Sequence, residues 1–172
     1  MPSDAVPTPD PLRGLRVLTD SSLIRLDIDD LLAELLTRVR EILDADTAAV
    51  LLLDESSGTL VARAALGIEE EVRQGVRVPI GAGFAGRIAA TRTPIRLDRV
   101  DATTVANPVL WEKKIRVMLG IPLLSGDQLL GVIHVGRLED RPFTDQDVDL
   151  LQVVADRVAG VTQTRLLAIE QG

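Results

Sequence analysis

The connections between the strand-like segments constrain the fold most. Ala48–Leu53 and Leu60–Leu66 are apolar runs separated only by Asp54-Glu55-Ser56-Ser57-Gly58, and Ile115–Leu123 and Gln128–Leu138 flank Ser125-Gly126-Asp127. Loops this short cannot hold a parallel crossover, which needs about a dozen residues, so both pairs read as antiparallel hairpins. Between them lie weaker elements. Residues 68–74 predict a helical turn or two. Val76-Arg77-Val78-Pro79-Ile80 reads as an edge strand, because Pro79 cannot donate to a ladder. A short helix then runs to about Arg92, Pro94–Leu97 reads as a further strand, and residues 98–114 are irregular with a helical turn around Val109–Lys113.

Helices bracket the strands. Ile28, Leu31, Leu32, Leu35, Leu36, Val39, Ile42 and Leu43 recur at helical spacing, predicting a helix from about Ile28 to Leu43. Asp27 is its expected N-cap, with Leu26 and Leu31 as a staple. A longer helix is predicted from Asp145 to about Ile169, with Thr144 as cap, Asp147 at the capping-box position and Phe143 stapled to Val148. Val148, Leu151, Ala155, Val158, Thr162, Arg165 and Ile169 alternate by threes and fours, a heptad seam open to a partner helix. This order predicts an α+β domain with a largely antiparallel sheet, terminal helices on one face, and the short helix and loop on the other. Residues 1–11, with four prolines, read as a disordered lead, residues 12–26 as a weakly helical extension, and 27–170 as the domain.

Composition narrows the chemistry. The chain has 172 residues, enough for one domain. It has no cysteine and one histidine, which excludes disulfides, thiol nucleophiles and multi-histidine metal sites. Its 26 acidic and 19 basic residues leave a net charge of −7, without the basic footprint of a nucleic-acid binder. No apolar run reaches the roughly 20 residues needed to span a bilayer, and the start lacks a signal-peptide pattern, so a cytoplasmic location is expected.

Gly81-x-Gly83-x-x-Gly86 matches the dinucleotide fingerprint, and an oxidoreductase is the corresponding alternative. That fingerprint belongs on a buried strand of a parallel sheet, whereas Val-Arg-Val-Pro-Ile is half polar and follows a hairpin. Glycines that permit tight turning and close helix packing are the plainer reading. His134 sits among aliphatic residues, as a packed histidine does. Trp111 in the irregular stretch suits either a pocket lid or a core anchor. No nucleophile stands at motif spacing from a base, so a catalytic set is not expected.

The second hairpin carries a family resemblance. Val117-Met118-Leu119-Gly120-Ile121-Pro122-Leu123 followed by Gly126-Asp127-Gln128-Leu129-Leu130-Gly131-Val132-Ile133-His134-Val135 resembles the signature hairpin of GAF domains. Gly81–Gly86, Pro94–Asp98 and Phe143-Thr144-x-x-Asp147 fit the same family, over roughly Asp27 to Ile169. The resemblance implies about six antiparallel strands, with the terminal helices on one face and a small-molecule pocket on the other, under the short helix and loops. It further implies a sensor that acts on an output domain, with dimerisation through the terminal helices. The texture is closest to bacterial modules that precede serine phosphatases or histidine kinases. Cyclic-nucleotide-binding members carry Asn-Lys…Phe-x-x-x-Asp-Glu; Gly136-Arg137, Phe143 and Asp147-Val148 keep only the Phe and the first acid, which argues against that ligand. The expected pocket residues are Phe84, Ile88, Leu97, Trp111, Met118 and His134. The effector is unspecified, no cofactor is assigned, and a ligand-free dimerisation module is the alternative.

Overall fold

The computed structural model describes residues 21–105 and 107–171, with side chains over 28–105 and 107–163. The expected lead 1–11 and most of the 12–26 extension fall outside the described residues.

Helix α1 (Ser21–Ile42) is followed by β1 (Thr47–Asp54), β2 (Thr59–Leu66), α2 (Glu70–Arg73), β3 (Arg77–Pro79), α3 (Gly83–Thr91), β4 (Ile95–Leu97), α4 (Pro108–Glu112), β5 (Val117–Ser125), β6 (Gln128–Arg137) and α5 (Asp145–Gln171). The strands form one six-stranded sheet in the order β3-β2-β1-β6-β5-β4. Every pairing is antiparallel, with β1 and β6 joined at the centre through Ala49↔His134. An antiparallel sheet removes the oxidoreductase alternative, whose fingerprint needs a parallel βαβ unit. Pro79 lies on the β3 edge, where its missing N–H breaks no inner ladder.

Both faces of the sheet are covered. On the central strands Ala48, Val50, Leu52, Ile133, Val135, Leu119 and Ile121 join α1 and α5 in one apolar cluster. Their neighbours Ala49, Leu51, Val132 and Met118 join α3 and α4 in another. The period-2 alternation of strand side chains separates these two cores.

Two helical expectations are corrected. Helix α1 begins at Ser21 and runs through Asp27, so Asp27 is not its cap and the Leu26–Leu31 staple loses its premise. No glycine or proline interrupts residues 21–27, and adding a residue to an existing helix costs far less than nucleating one. The described part of the α5 heptad seam is also not free. Leu151, Ala155, Val158 and Thr162 are fully buried, the first three within the α1–α5 core, so this stretch faces its own domain. The capping box of α5 forms as expected: Asp147 N–H donates to Thr144 Oγ1 (3.2 Å) and Thr144 N–H to Asp147 Oδ2 (2.9 Å).

Candidate ligand-binding site

Helix α3 is seated by glycine. Gly81 and Gly83 take φ of +93° and +62°, which turns the chain sharply from β3 into α3. A Cβ on Gly86 would stand 2.3 Å from the Pro79 carbonyl oxygen, and one on Gly120 would stand 2.4 Å from Ile88 Cδ1. Bare backbone at both positions lets α3 lie against the edge strand and the sheet, and this brings Phe84 and Ile88 into the core.

Helix α2 contributes a buried carboxylic acid. Glu71 N–H donates to the Ile68 carbonyl at 3.0 Å across the turn that leads into α2; Ile68 is fully buried and Glu71 is 1% exposed. Glu71 Oε2 accepts from the Asn107 side-chain amide. Asn107 also caps α4: its Oδ1 accepts from Val109 N–H at 3.1 Å, and Pro108 occupies the first turn. Outside this buried bond, Lys113 pairs with Glu70. Adjacent residues of α2 thus clasp the two ends of α4, one link buried and one at the surface.

The central strand β6 brings His134 to the same place. Its ring meets Phe84 edge-on with centroids 6.0 Å apart, and its Nε2 is 3.7 Å from Glu71 Oε1. That spacing exceeds a direct hydrogen bond and suits a bridging water. Glu71 Oε1 and His134 Nδ1 have no hydrogen-bond partner among the described residues. Burial pushes the Glu71 carboxyl up to about 7, with the Asn107 bond pulling against it. Burial likewise holds His134 down to about 4, so the imidazole is neutral at physiological pH.

These groups enclose a cavity of about 10 Å³ walled also by Leu51 and Leu110. One water needs roughly 10–15 Å³, so the site as folded has room for about a single water. A groove of about 270 Å³ lies outside it along the β3 edge, and Val78 and Asn107 line both. Chemically the arrangement offers unpartnered polar atoms and a carboxyl whose raised pKa lets it gain or lose a proton near neutral pH. Among the described residues no three acidic or histidine side chains are grouped to hold a metal.

Of the residues expected from sequence, Phe84 and His134 line the cavity. Ile88 and Met118 are fully buried in the surrounding apolar cluster, and Leu97 packs at its margin. Trp111 is 41% exposed and is not among the cavity walls. Sequence reasoning missed Glu71 and Asn107. Asn107 carried a signal, Asn-Pro at a helix start, an N-cap followed by proline; Glu71, in a four-residue helix, carried none.

Known proteins share this architecture. The chain is 24% identical over 157 residues to the formate hydrogenlyase transcriptional activator FhlA of Escherichia coli, covering 87% of this chain and 23% of that protein. The chain therefore spans less than a quarter of that relative's length. Among solved structures, the GAF domain of a phosphoenolpyruvate-protein phosphotransferase from Coxiella burnetii aligns with a TM-score of 0.72 and 24% identity, covering 81% of this chain and 84% of that one. The second GAF domain of DevS from Mycobacterium smegmatis aligns with a TM-score of 0.68 and 20% identity, covering 86% and 99%. At these identities the structural likeness establishes the fold. The GAF domain family profile matches residues 27–161, across the whole sheet and both helical layers, and the chain belongs to the GAF domain family.

Proposed function

We propose that this chain is a non-catalytic sensor module of a cytoplasmic signalling protein, with its sensor domain over residues 27–170. A small effector occupies the cavity on one face of the sheet. Helices α1 and α5, packed on the other face of the same strands, pass its presence to an output domain of the phosphatase or kinase type outside this chain, across a homodimer of terminal helices. The observation that carries this reading is the buried Glu71–Asn107–His134 group with two unpartnered polar atoms. A small polar molecule in the cavity can engage both atoms. No nucleophile stands beside a base in the cavity wall, which supports binding over catalysis. Coupling needs only that the ligand prefer one arrangement of sheet and helices.

A ligand-free structural module is the second reading. The observation favouring it is the size of the cavity, about 10 Å³. Native mass spectrometry of the purified chain, followed by denaturation of the same sample, separates the two. A dimer carrying extra mass that leaves on denaturation is expected from a sensor. A dimer with no added mass, and no stabilisation by any small-molecule panel, favours the structural module. A strict monomer at micromolar concentration removes the helix-mediated mechanism for this chain.

A further inference from the structure

We propose that the occupant is a small nitrogen cation of the amidinium or primary-ammonium class, and that it enters from the β3-edge groove by replacing the Asn107 amide as donor to Glu71. This rests on the reading of the cavity as the ligand site.

The cavity wall holds one carboxyl group and no lysine or arginine. An anion buried there has no cationic side chain to compensate it, whereas a cation can take Glu71 as its counter-ion once that carboxyl gives up its proton. The hydrogen bond that Glu71 now receives comes from an N–H of a planar amide, and an amidinium or ammonium offers the same donor with a charge added. Two atoms of the cavity wall lack a partner, Glu71 Oε1 on the carboxyl that receives this bond and His134 Nδ1 on the ring whose Nε2 stands 3.7 Å from it, both on side chains about 98–99% buried. A neutral imidazole accepts at one nitrogen, so a ligand with several N–H groups can satisfy both side chains.

Asn107 is also the partition. It lines the inner cavity and the outer groove, together with Val78. Breaking its bond to Glu71 joins the two spaces, and the groove alone, at about 270 Å³, approaches the roughly 300 Å³ at which small-ligand pockets begin. The charged groups around Glu71 leave room for the added charge. Glu70, its neighbour on α2, is paired with Lys113 and Arg73. Arg77 of β3, which lines the groove, is paired with Asp54. His134 of β6 is the one titratable side chain facing Glu71 from the sheet, and burial keeps it neutral.

Acetamidinium, acetamide and acetate have nearly one shape and three charges, so they test the class directly on the full chain. Binding is read from the His134 imidazole ¹⁵N resonances, and proton release from calorimetry at pH 6 in two buffers of different ionisation enthalpy. Acetamidinium is expected to saturate the site and release about one proton as Glu71 ionises. Acetamide is expected at least tenfold weaker and without proton release, and acetate silent. Glu71→Gln, which keeps the side-chain shape, is expected to abolish the proton release and weaken acetamidinium at least tenfold. Asn107→Ser keeps a capping hydroxyl for α4 but removes the competing donor, and is expected to tighten acetamidinium several-fold. Equal or tighter binding of acetamide or acetate overturns the cation, and an unchanged or weaker affinity in Asn107→Ser overturns the partition. A neutral or anionic molecule retained in the native mass spectrum also overturns the class but leaves the ligand site standing. Silence of His134 towards all three probes overturns the class, and silence with an empty native spectrum overturns the ligand site as well.

Discussion

A single residue pair, Glu71 and His134, sets how the folded domain holds protons. In the fold Glu71 keeps its proton up to about 7 instead of 4.5, and His134 stays neutral down to about 4 instead of 6.5. The raised Glu71 makes stability fall as pH rises from 4.5 towards 7, because the folded state holds the proton that the unfolded state has released. The lowered His134 makes stability fall as pH drops from 6.5 towards 4, because the unfolded state takes up a proton that the folded state refuses. Between about pH 4.5 and 6.5 the two slopes oppose, and the pair contributes almost no pH dependence. Glu71→Gln is therefore expected to expose the His134 slope alone, its own stability falling by up to about 1.4 kcal/mol per unit as pH falls from 6.5 to 4. His134→Gln is expected to do the reverse, losing stability as pH rises from 4.5 to 7. Urea midpoints across this range check both, and parallel profiles for wild type and the two variants would refute the pairing.

At the scale of elements, two joints hold the layers together. The first is α3 on the sheet. Gly86→Ala pushes a methyl group into the Pro79 backbone carbonyl, which cannot swing aside as a side-chain tip can. The expected cost is about 1–3 kcal/mol, with the larger near-ultraviolet change at Trp111 and Phe84 if α3 lifts. The second joint is Arg137 at the end of β6. It is 2% exposed; it donates to the carbonyls of Leu43, Asp44, Arg141 and Pro142, lies 4.0 Å over the Phe143 ring and 3.6 Å from Asp147. One guanidinium thereby ties the C-terminal end of α1 to the N-terminal end of α5, and the remnant of the Phe-x-x-x-Asp pattern serves packing. Arg137→Met is expected to destabilise by about 2–4 kcal/mol, and Arg137→Lys to recover only part, since an ammonium cannot span four carbonyls. Full recovery by lysine in thermal unfolding would show that charge, and not the planar fork, matters.

For the whole molecule, the buried seam decides how a helix-mediated dimer can be built. Leu151 is fully buried in its own domain, while Val153 on the same helix is 68% exposed. Leu151→Ala is expected to cost about 2–5 kcal/mol of stability. Val153→Glu is expected to leave the unfolding midpoint within about 0.5 kcal/mol of wild type and to weaken self-association in sedimentation equilibrium. Unchanged association in Val153→Glu places the dimer contact elsewhere.

Much of this architecture was legible from local signals. The two short hairpin loops dictated antiparallel pairing, the broken Val76–Ile80 stretch marked an edge, and Thr144 with Asp147 marked the start of α5. These follow from neighbours in sequence: turn length, a missing donor, a side chain bonding its own backbone. What the chain alone left open was which of two buried faces each strand residue meets, because both faces are apolar and alternation is symmetric. Only the packed structure put His134 on the cavity side and turned Leu151, Ala155 and Val158 of the α5 seam into its own domain. Glu71 and Asn107, 36 residues apart, meet only when α2 and α4 close over the sheet. A one-turn helix has too few residues to carry a periodic pattern, so the carboxyl at the centre of the candidate site became visible through its burial in the fold.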